Sequence, residues 1–326
     1  MRFVIYGAGA VGGTIGGRLF EAGHDVTLLA RGDHLRALRD EGLTLASPNG
    51  TAVLPIPAAE HPAEAAPQAG DVVVLAMKGQ HTAAAVDELA ACASPGVAVV
   101  CAQNGVENER VALRSFPDVY GMSVMLPATH LEPGVVVAQS AAATGLLDVG
   151  RYPAGVDDTA TAVAAALDGA TFESVARPDI MRWKYRKLVL NLANSLEALC
   201  GPDGVRSPLL GRVRDEGEAV LAAAGIDVVS SEEDRERRGD RLQMRPVEGR
   251  RREGGSTWQS LARGLGSVES DFLNGEIVLL GRLHGVPTPV NALLQRLATE
   301  AAAGGRPPGS SDPAELLARL DGEAGA

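Results

Sequence analysis

Cysteine is scarce in this chain of 326 residues: Cys92, Cys101 and Cys200 are scattered and odd in number. They build no disulfide framework and no CxxC metal pair. Lysine is equally rare, because twenty-seven of the thirty basic residues are Arg and only Lys78, Lys184 and Lys187 remain. Forty-one acids outweigh these bases and leave a net charge of −11. That balance argues against general nucleic-acid binding through a basic surface. No run of eighteen apolar residues is present, so no membrane span is expected. Residues Met1 to Tyr6 are too short, and too soon interrupted by glycine, for a signal peptide. The histidines (24, 34, 61, 81, 130 and 284) show no HxxxH or HExxH spacing, so no metal site is expected. A GxSxG elbow is also missing, which excludes the usual serine hydrolase. The expectation is a reduced, cytoplasmic, soluble protein of about two domains at roughly 150 residues each. Its 45% apolar content can supply their cores.

What is present begins with a strand. Residues 2–6 are apolar and run into Gly7-Ala8-Gly9-Ala10-Val11-Gly12, after which a helix extends to about Ala22 and a strand covers Asp25–Ala30. Further strands are expected at Gly42–Leu45, Ala52–Ile56, Asp71–Ala76 and Val97–Cys101, with helices at His34–Arg39 and Thr82–Ala91. This alternation predicts a parallel α/β sheet. Shorter strands at Val119–Met125, Val135–Ala138 and Gly145–Val149 are expected to extend or edge that sheet. After Ala176 the pattern turns helical. Pro178–Cys200 reads as one long helix ended by Gly201-Pro202, and helices follow at Leu209–Ala224, Trp258–Leu265, Val268–Leu283 and Thr288–Ala302. The expected domains are 1–176, 177–303 and a loosely held tail, 304–326, with a short helix near Ala314–Leu320.

Gly7, Gly9 and Gly12 form a GxGxxG at the end of a strand and the opening of a helix, the context that makes this motif specific. The first glycine permits the turn and the second lets a pyrophosphate approach the backbone. The third packs helix on strand, and the helix N-terminus faces the anion. The fold class is therefore α/β, an N-terminal Rossmann-type doubly wound sheet followed by an all-helical C-terminal domain. At the end of the second strand stands Leu29-Ala30-Arg31-Gly32, with no acid to bind ribose hydroxyls. Arg31 there could pair with a 2′-phosphate, which favours NADP(H) over NAD(H).

The helix from Pro178 carries a second signal. Lys187, Asn191 and Asn194-Ser195 recur at i, i+4 and i+7/i+8, a narrow polar stripe on a largely apolar helix. A buried ammonium costs several kcal/mol unless paired, so a carboxylate partner is expected, with Glu269 and Asp271 as candidates. Burial would lower the pKa of Lys187 and a paired carboxylate would raise it, leaving it protonated but labile. Lys184, one turn earlier, points elsewhere and is expected at the surface.

Taken together, the GAGAVGG turn, Met77-Lys78, Gln103-Asn104-Gly105, Tyr185-Arg186-Lys187-Leu188 with Asn191, Ser256–Gln259 and Glu269-x-Asp271-x-x-Asn274-Gly275 resemble ketopantoate reductases (2-dehydropantoate 2-reductases) from Met1 to Ala302. The resemblance implies a two-domain enzyme of pantothenate biosynthesis with its site in the interdomain cleft, where NADPH delivers hydride to a small 2-keto acid. By position, Lys187 resembles the general acid, and Glu269 the carboxylate that holds it and contacts a substrate hydroxyl. Asn104 resembles the residue beside nicotinamide and substrate, Lys78 a second cation of the cofactor side, Ser256 a ligand of the substrate carboxylate and Asn191 an orienting amide. Those roles suit the chemistry, since a protonated amine stabilises the alkoxide that hydride addition creates and then protonates it.

Departures fall on the substrate side. Ser195 stands where the family has a second Asn, with Asn194 one residue early. Asp203-Gly204 replaces an Asn-Gly, the stretch before Glu269 is one residue longer, and Val268-Glu269 replaces Thr-Glu. A paralogue acting on a different 2-keto acid or related carbonyl is the alternative, and a non-catalytic dinucleotide-binding regulator a third. The apolar pattern over Glu276–Leu283 is read as core or as a subunit contact, the latter making a homodimer. Residues 235–252 hold eight Arg against three acids and are read, within Glu232–Glu253, as a solvated excursion.

Overall fold

The computed structural model describes residues 1–249 and 253–324. The chain divides into two compact units, residues 1–184 with 230–252, and residues 185–229 with 253–326. The division after residue 184 falls eight residues beyond the 176/177 boundary read from the sequence, and the segment from Ser230 returns to the first unit. No helix among the described residues is long and apolar enough to cross a membrane.

The strands are β1 (Arg2–Tyr6), β2 (Asp25–Leu29), β3 (Leu43–Ser47), β4 (Gly50–Leu54), β5 (Ala58–Ala59), β6 (Val72–Leu75), β7 (Ala98–Cys101), β8 (Val119–Met125), β9 (Ala128–Thr129), β10 (Val135–Ala138) and β11 (Leu146–Arg151). The first unit's helices are α1 (Ala10–Glu21), α2 (Gly32–Asp40), α3 (Pro62–Ala65), α4 (Thr82–Ala90), α5 (Asn108–Leu113) and α6 (Asp158–Asp168). Helix α7 (Ile180–Asn191) spans the division, and α8 (Ala193–Arg206) and α9 (Leu209–Ala223) follow it. After them come α10 (Ser231–Arg238) of the first unit, then α11 (Ser256–Ala262), α12 (Asn274–His284), α13 (Pro289–Ala303) and α14 (Pro313–Ala324) of the second.

Seven strands form one sheet in the order β11-β8-β7-β6-β1-β2-β5. All neighbours are parallel except the edge strand β11, which runs antiparallel to β8. The chain order reverses beside β1, and the crevice at the carboxyl ends of β1 and β6 is the switch point of a doubly wound sheet. Both faces are covered, which explains the uninterrupted apolar strands. Phe3 and Ile5 of β1 pack on one side with Ile15 and Leu19 of α1, while Val4 and Tyr6 pack on the other with Val86 and Leu89 of α4.

Strand β10 does not extend this sheet. It pairs with β3 and β9 in a separate four-stranded sheet, β4-β3-β10-β9. Helix α1 lies between the two sheets and can do so because its flanks are glycine. A Cβ on Gly13 would stand 2.8 Å from Val136 Cγ1, and one on Gly16 2.6 Å from Leu28 Cδ2.

The expected single helix from Pro178 begins at Ile180 in the first unit, breaks at Leu192 and bends at Gly201, where φ is +64°. Its orphaned Leu192 carbonyl accepts from Asn274 Nδ2 at 3.1 Å. The expected helix 268–283 is likewise split, into a single 3-10 turn over Ser270–Phe272 and α12. The tail is pinned rather than loose: Gly309 N and Ser311 N donate to the carbonyls of Ala198 and Leu199, and Leu316 and Leu320 of α14 are buried.

Residues 230–249 are largely exposed, as read from the sequence, but they are tied to the first unit at Arg237. Arg237 of α10 donates to both carboxylate oxygens of the buried Asp148 on β11, at 2.7 and 3.0 Å, and pairs with Glu173 at 3.2 Å. Residues 250–252 of the Arg-rich run lie outside the described residues.

Candidate active site

The glycine turn closes on the end of β2, where Gly7 N and Ala8 N both donate to the Leu29 carbonyl, at 3.1 and 3.0 Å. Gly7 has φ +103°, and a Cβ there would stand 2.8 Å from Met77 N at the end of β6. A Cβ on Gly12 would stand 2.1 Å from the Gly7 carbonyl oxygen. Gly9 is different, for its missing Cβ has no atom within 4 Å. It caps α1 with no side-chain hydrogen bond, and the first turn carries no acid. The first-turn N–H groups, which have no intrahelical acceptor, make a positive helix end that follows this open position. This arrangement fits the pyrophosphate of a dinucleotide.

Arg31 follows β2, as the sequence places it, and its side chain is 64% exposed. It donates to Glu88 of α4 at 2.9 Å, and Glu88 also accepts from Tyr6 Oη. The Tyr6 hydrogen bond and Arg31 hold the Glu88 carboxyl below its usual range, while burial and Glu88 push the Tyr6 phenol up. Lys78 and Arg31 also act on His81 at the start of α4, whose pKa is lowered first by desolvation and then by these two cations. An electropositive edge thus stands beside the turn of a chain that is acidic overall.

Asn104 lies in the loop after β7. Its carbonyl accepts from Asn108 Nδ2 at 2.9 Å, and Asn108 Oδ1 accepts from Thr82 Oγ1, which accepts from Gln103 Nε2, both at 2.7 Å. Gly105 turns the chain next, at φ +80°. Beneath the loop lies Lys184, and here the surface expectation fails. Lys184 is 3% exposed and forms an ion pair with Glu109 of α5, itself 0% exposed. The ammonium also donates to the carbonyls of Gln103, at 3.0 Å, and Cys101, at 3.4 Å. The helical pattern could not reveal this, because the partners come from β7 and α5.

In the second unit, α7 carries half-buried Lys187 and buried Asn191 one turn apart, and buried Glu269 immediately precedes the turn at Ser270–Phe272. Asn194 and Ser256, two residues read as substrate ligands, come together with Asn194 Nδ2 3.5 Å from Ser256 Oγ. Gly255 N, just before, donates to Glu197 at 2.8 Å and fixes the start of α11. Ser195 is placed elsewhere. It is fully buried and donates to Asn274 Oδ1 at 2.6 Å. Asn274 in turn donates to Asn291 Oδ1 at 3.0 Å, and Asn291 to Glu216 at 2.8 Å. The Ser195 hydroxyl belongs to this helix-packing network.

Sequence reasoning missed His34. Its Nδ1 accepts from Gly134 N and its Nε2 donates to the Ala8 carbonyl, both at 2.8 Å, which props the glycine turn from behind. The one available signal was a histidine three residues after Arg31, which spacing rules do not flag. Among the described residues, no group of three or more His, Cys, Asp or Glu is placed to hold a metal ion.

Family models describe the two halves of the chain. Ketopantoate reductase PanE/ApbA matches residues 3–153, and its C-terminal counterpart matches residues 179–302. The 2-dehydropantoate 2-reductase of Pyrococcus horikoshii is 30% identical over 325 residues, covering 94% of this chain and 99% of that protein. The structure of a PanE/ApbA family ketopantoate reductase from Ralstonia eutropha overlays with a TM-score of 0.78 at 27% identity, covering 94% of this chain and 100% of that one. D-mandelate dehydrogenase, solved with NADH and anilino(oxo)acetate, overlays at 0.80 with 21% identity over 94% and 99% of the two chains, a likeness of fold alone. Matched in both halves and over nearly its whole length, the chain belongs to the ketopantoate reductase family of oxidoreductases.

Proposed function

We propose that the chain reduces 2-dehydropantoate (ketopantoate) to pantoate with NADPH, a step of pantothenate biosynthesis. NADPH, when bound, supplies the hydride that adds to the keto carbon. The backbone of Gly7, Ala8, Gly9, Ala10, Val11 and Gly12 receives the pyrophosphate, and Arg31 the 2′-phosphate. Its present pair with Glu88 is exposed and worth at most about 1 kcal/mol, so a phosphate carrying nearly two charges displaces it. Lys78 and Asn104 serve the nicotinamide end.

Lys187 is the general acid. Its ammonium stabilises negative charge on the carbonyl oxygen and then gives that oxygen a proton, and Glu269 keeps the amine charged and oriented. Asn191, Asn194 and Ser256 orient the substrate carboxylate and hydroxyl.

The observation that carries this reading is the full-length match to relatives named 2-dehydropantoate 2-reductase, joined to an open glycine cradle followed by Arg31 rather than an acid. A second reading, reduction of another 2-keto acid, draws on Ser195, which is buried where the family carries an amide. NADPH oxidation by the purified chain with ketopantoate and a panel of 2-keto acids decides. Turnover of ketopantoate, faster with NADPH than with NADH, is expected. Turnover with another acid alone would favour the second reading, and binding of NADPH without any turnover would leave a dinucleotide-binding regulator.

A further inference from the structure

Lysine is the rarest charged residue of this chain, and Lys184 is 3% exposed. An ammonium has three N–H donors. Three acceptors surround this one: the Glu109 carboxylate and the backbone carbonyls of Gln103 and Cys101. The socket is tight. Gly121 of β8 makes room for it, since a Cβ there would stand 3.2 Å from Lys184 Cδ and 3.3 Å from Glu109 Oε1. Both groups are withdrawn from water, an arrangement that apolar side chains of similar volume would match in stability or exceed. What apolar side chains could not do is hold two carbonyls.

Those carbonyls belong to the end of β7 and to the peptide that enters Asn104. The Gln103 carbonyl is held from below by Lys184, and the Asn104 carbonyl from the side by Asn108. Asn104 is thus bracketed at both of its peptides, just before the chain turns at Gly105. We propose that Lys184, held by Glu109, is a positioning residue that fixes the Gln103–Asn104 peptide and so the place from which Asn104 meets the nicotinamide. The inference rests on the role given to Asn104 above. It uses neither the acid chemistry of Lys187 nor any contact of Lys184 with substrate.

The test is Lys184→Met combined with Glu109→Leu in the full chain, with Lys184→Met alone beside it. The double variant removes charge and partner together, so it folds even where the single variant, left with an unpaired buried carboxylate, does not. Hydrogen exchange followed by mass spectrometry is expected to show peptides across 102–107 exchanging at least tenfold faster, while β1 and β6 exchange as in the parent. With NADPH and ketopantoate, kcat is expected to fall at least tenfold and KM to stay within about threefold. A purely structural pair would leave both readouts unchanged once packing is restored. Parent-like exchange across 102–107 overturns the proposal, and so does faster exchange with an unaltered kcat. If the parent chain turns over no 2-keto acid, the proposed function falls, while the exchange data still decide whether Lys184 orders the loop.

Discussion

Replacing Gly9 with alanine separates cofactor binding from folding by one methyl group. Gly9 has φ −72° and ψ −155°, a conformation open to alanine, and its added Cβ meets nothing within 4 Å. The folded chain therefore accepts the change, and the loss of glycine's freedom in the unfolded state adds about 0.4–1 kcal/mol of stability. The methyl group nevertheless stands over the uncapped start of α1, where a phosphate would approach the backbone. Losing even one charge-assisted hydrogen bond there costs about 1.5–3 kcal/mol, roughly a 10- to 100-fold weaker NADPH complex. Gly12→Ala should behave in the opposite sense. Its Cβ would stand 2.1 Å from the Gly7 carbonyl oxygen and 2.9 Å from Ile5 Cγ2, so strand and helix must separate, at a cost of about 3 kcal/mol or more. Urea unfolding and NADPH fluorescence titration on both variants read the two effects. Parental NADPH affinity in Gly9→Ala would refute the assignment of the turn to the pyrophosphate, and parental stability in Gly12→Ala would refute the packing.

Three further outcomes follow from the same geometry. Arg31→Asp is expected to weaken NADPH roughly 10- to 100-fold and NADH by less than about threefold, and equal losses in two titrations would remove the 2′-phosphate from Arg31. Ser195→Ala leaves Asn274 Oδ1 without its donor and should cost about 1–3 kcal/mol in urea unfolding with KM unchanged; a raised KM at parental stability would return Ser195 to the substrate. Lys184→Met should be pH-dependent, because burial pushes the Glu109 carboxyl up and Lys184 opposes that rise. Without Lys184 the folded state binds the Glu109 proton more tightly than the unfolded state, so stability falls as pH rises above the ordinary carboxylate range. The stability gap to the parent is expected to widen by about 1 kcal/mol or more between pH 5 and pH 8, and a constant gap would contradict the buried pairing.

Local pattern carried far into this fold where burial is two-sided or a break is written in the chain. Strands β8 and β10 occupy the predicted residues, the glycine turn opens α1 as expected, and Gly201-Pro202 does bend α8. Pattern fell short where the deciding partner is distant in sequence. Strand β10 joins β3 rather than the main sheet because Val135 pairs with Thr44, a non-local register that alternation does not encode. The break at Leu192 rests on an amide from α12 that takes its carbonyl. Lys184 and Arg237 looked like surface cations until β7, α5 and β11 brought acceptors to them. The candidate site divides in the same way. Backbone geometry at Gly7 and Gly12 was legible because both glycines answer a steric demand, while Gly9 leaves open space. The Ser195 hydroxyl lies against Asn274, a partner that helical spacing does not show, because spacing gives the face a residue occupies and not what lies against it.

In the proposed reaction Lys187 protonates the oxygen of the reduced keto group. Steady-state turnover of Lys187→Ala with NADPH and the acid that the parent reduces tests it most directly, with NADPH affinity measured alongside. A kcat lower by about 10²- to 10⁴-fold at parental cofactor affinity is expected. Turnover equal to the parent's would contradict it and take the proton-donating role away from Lys187.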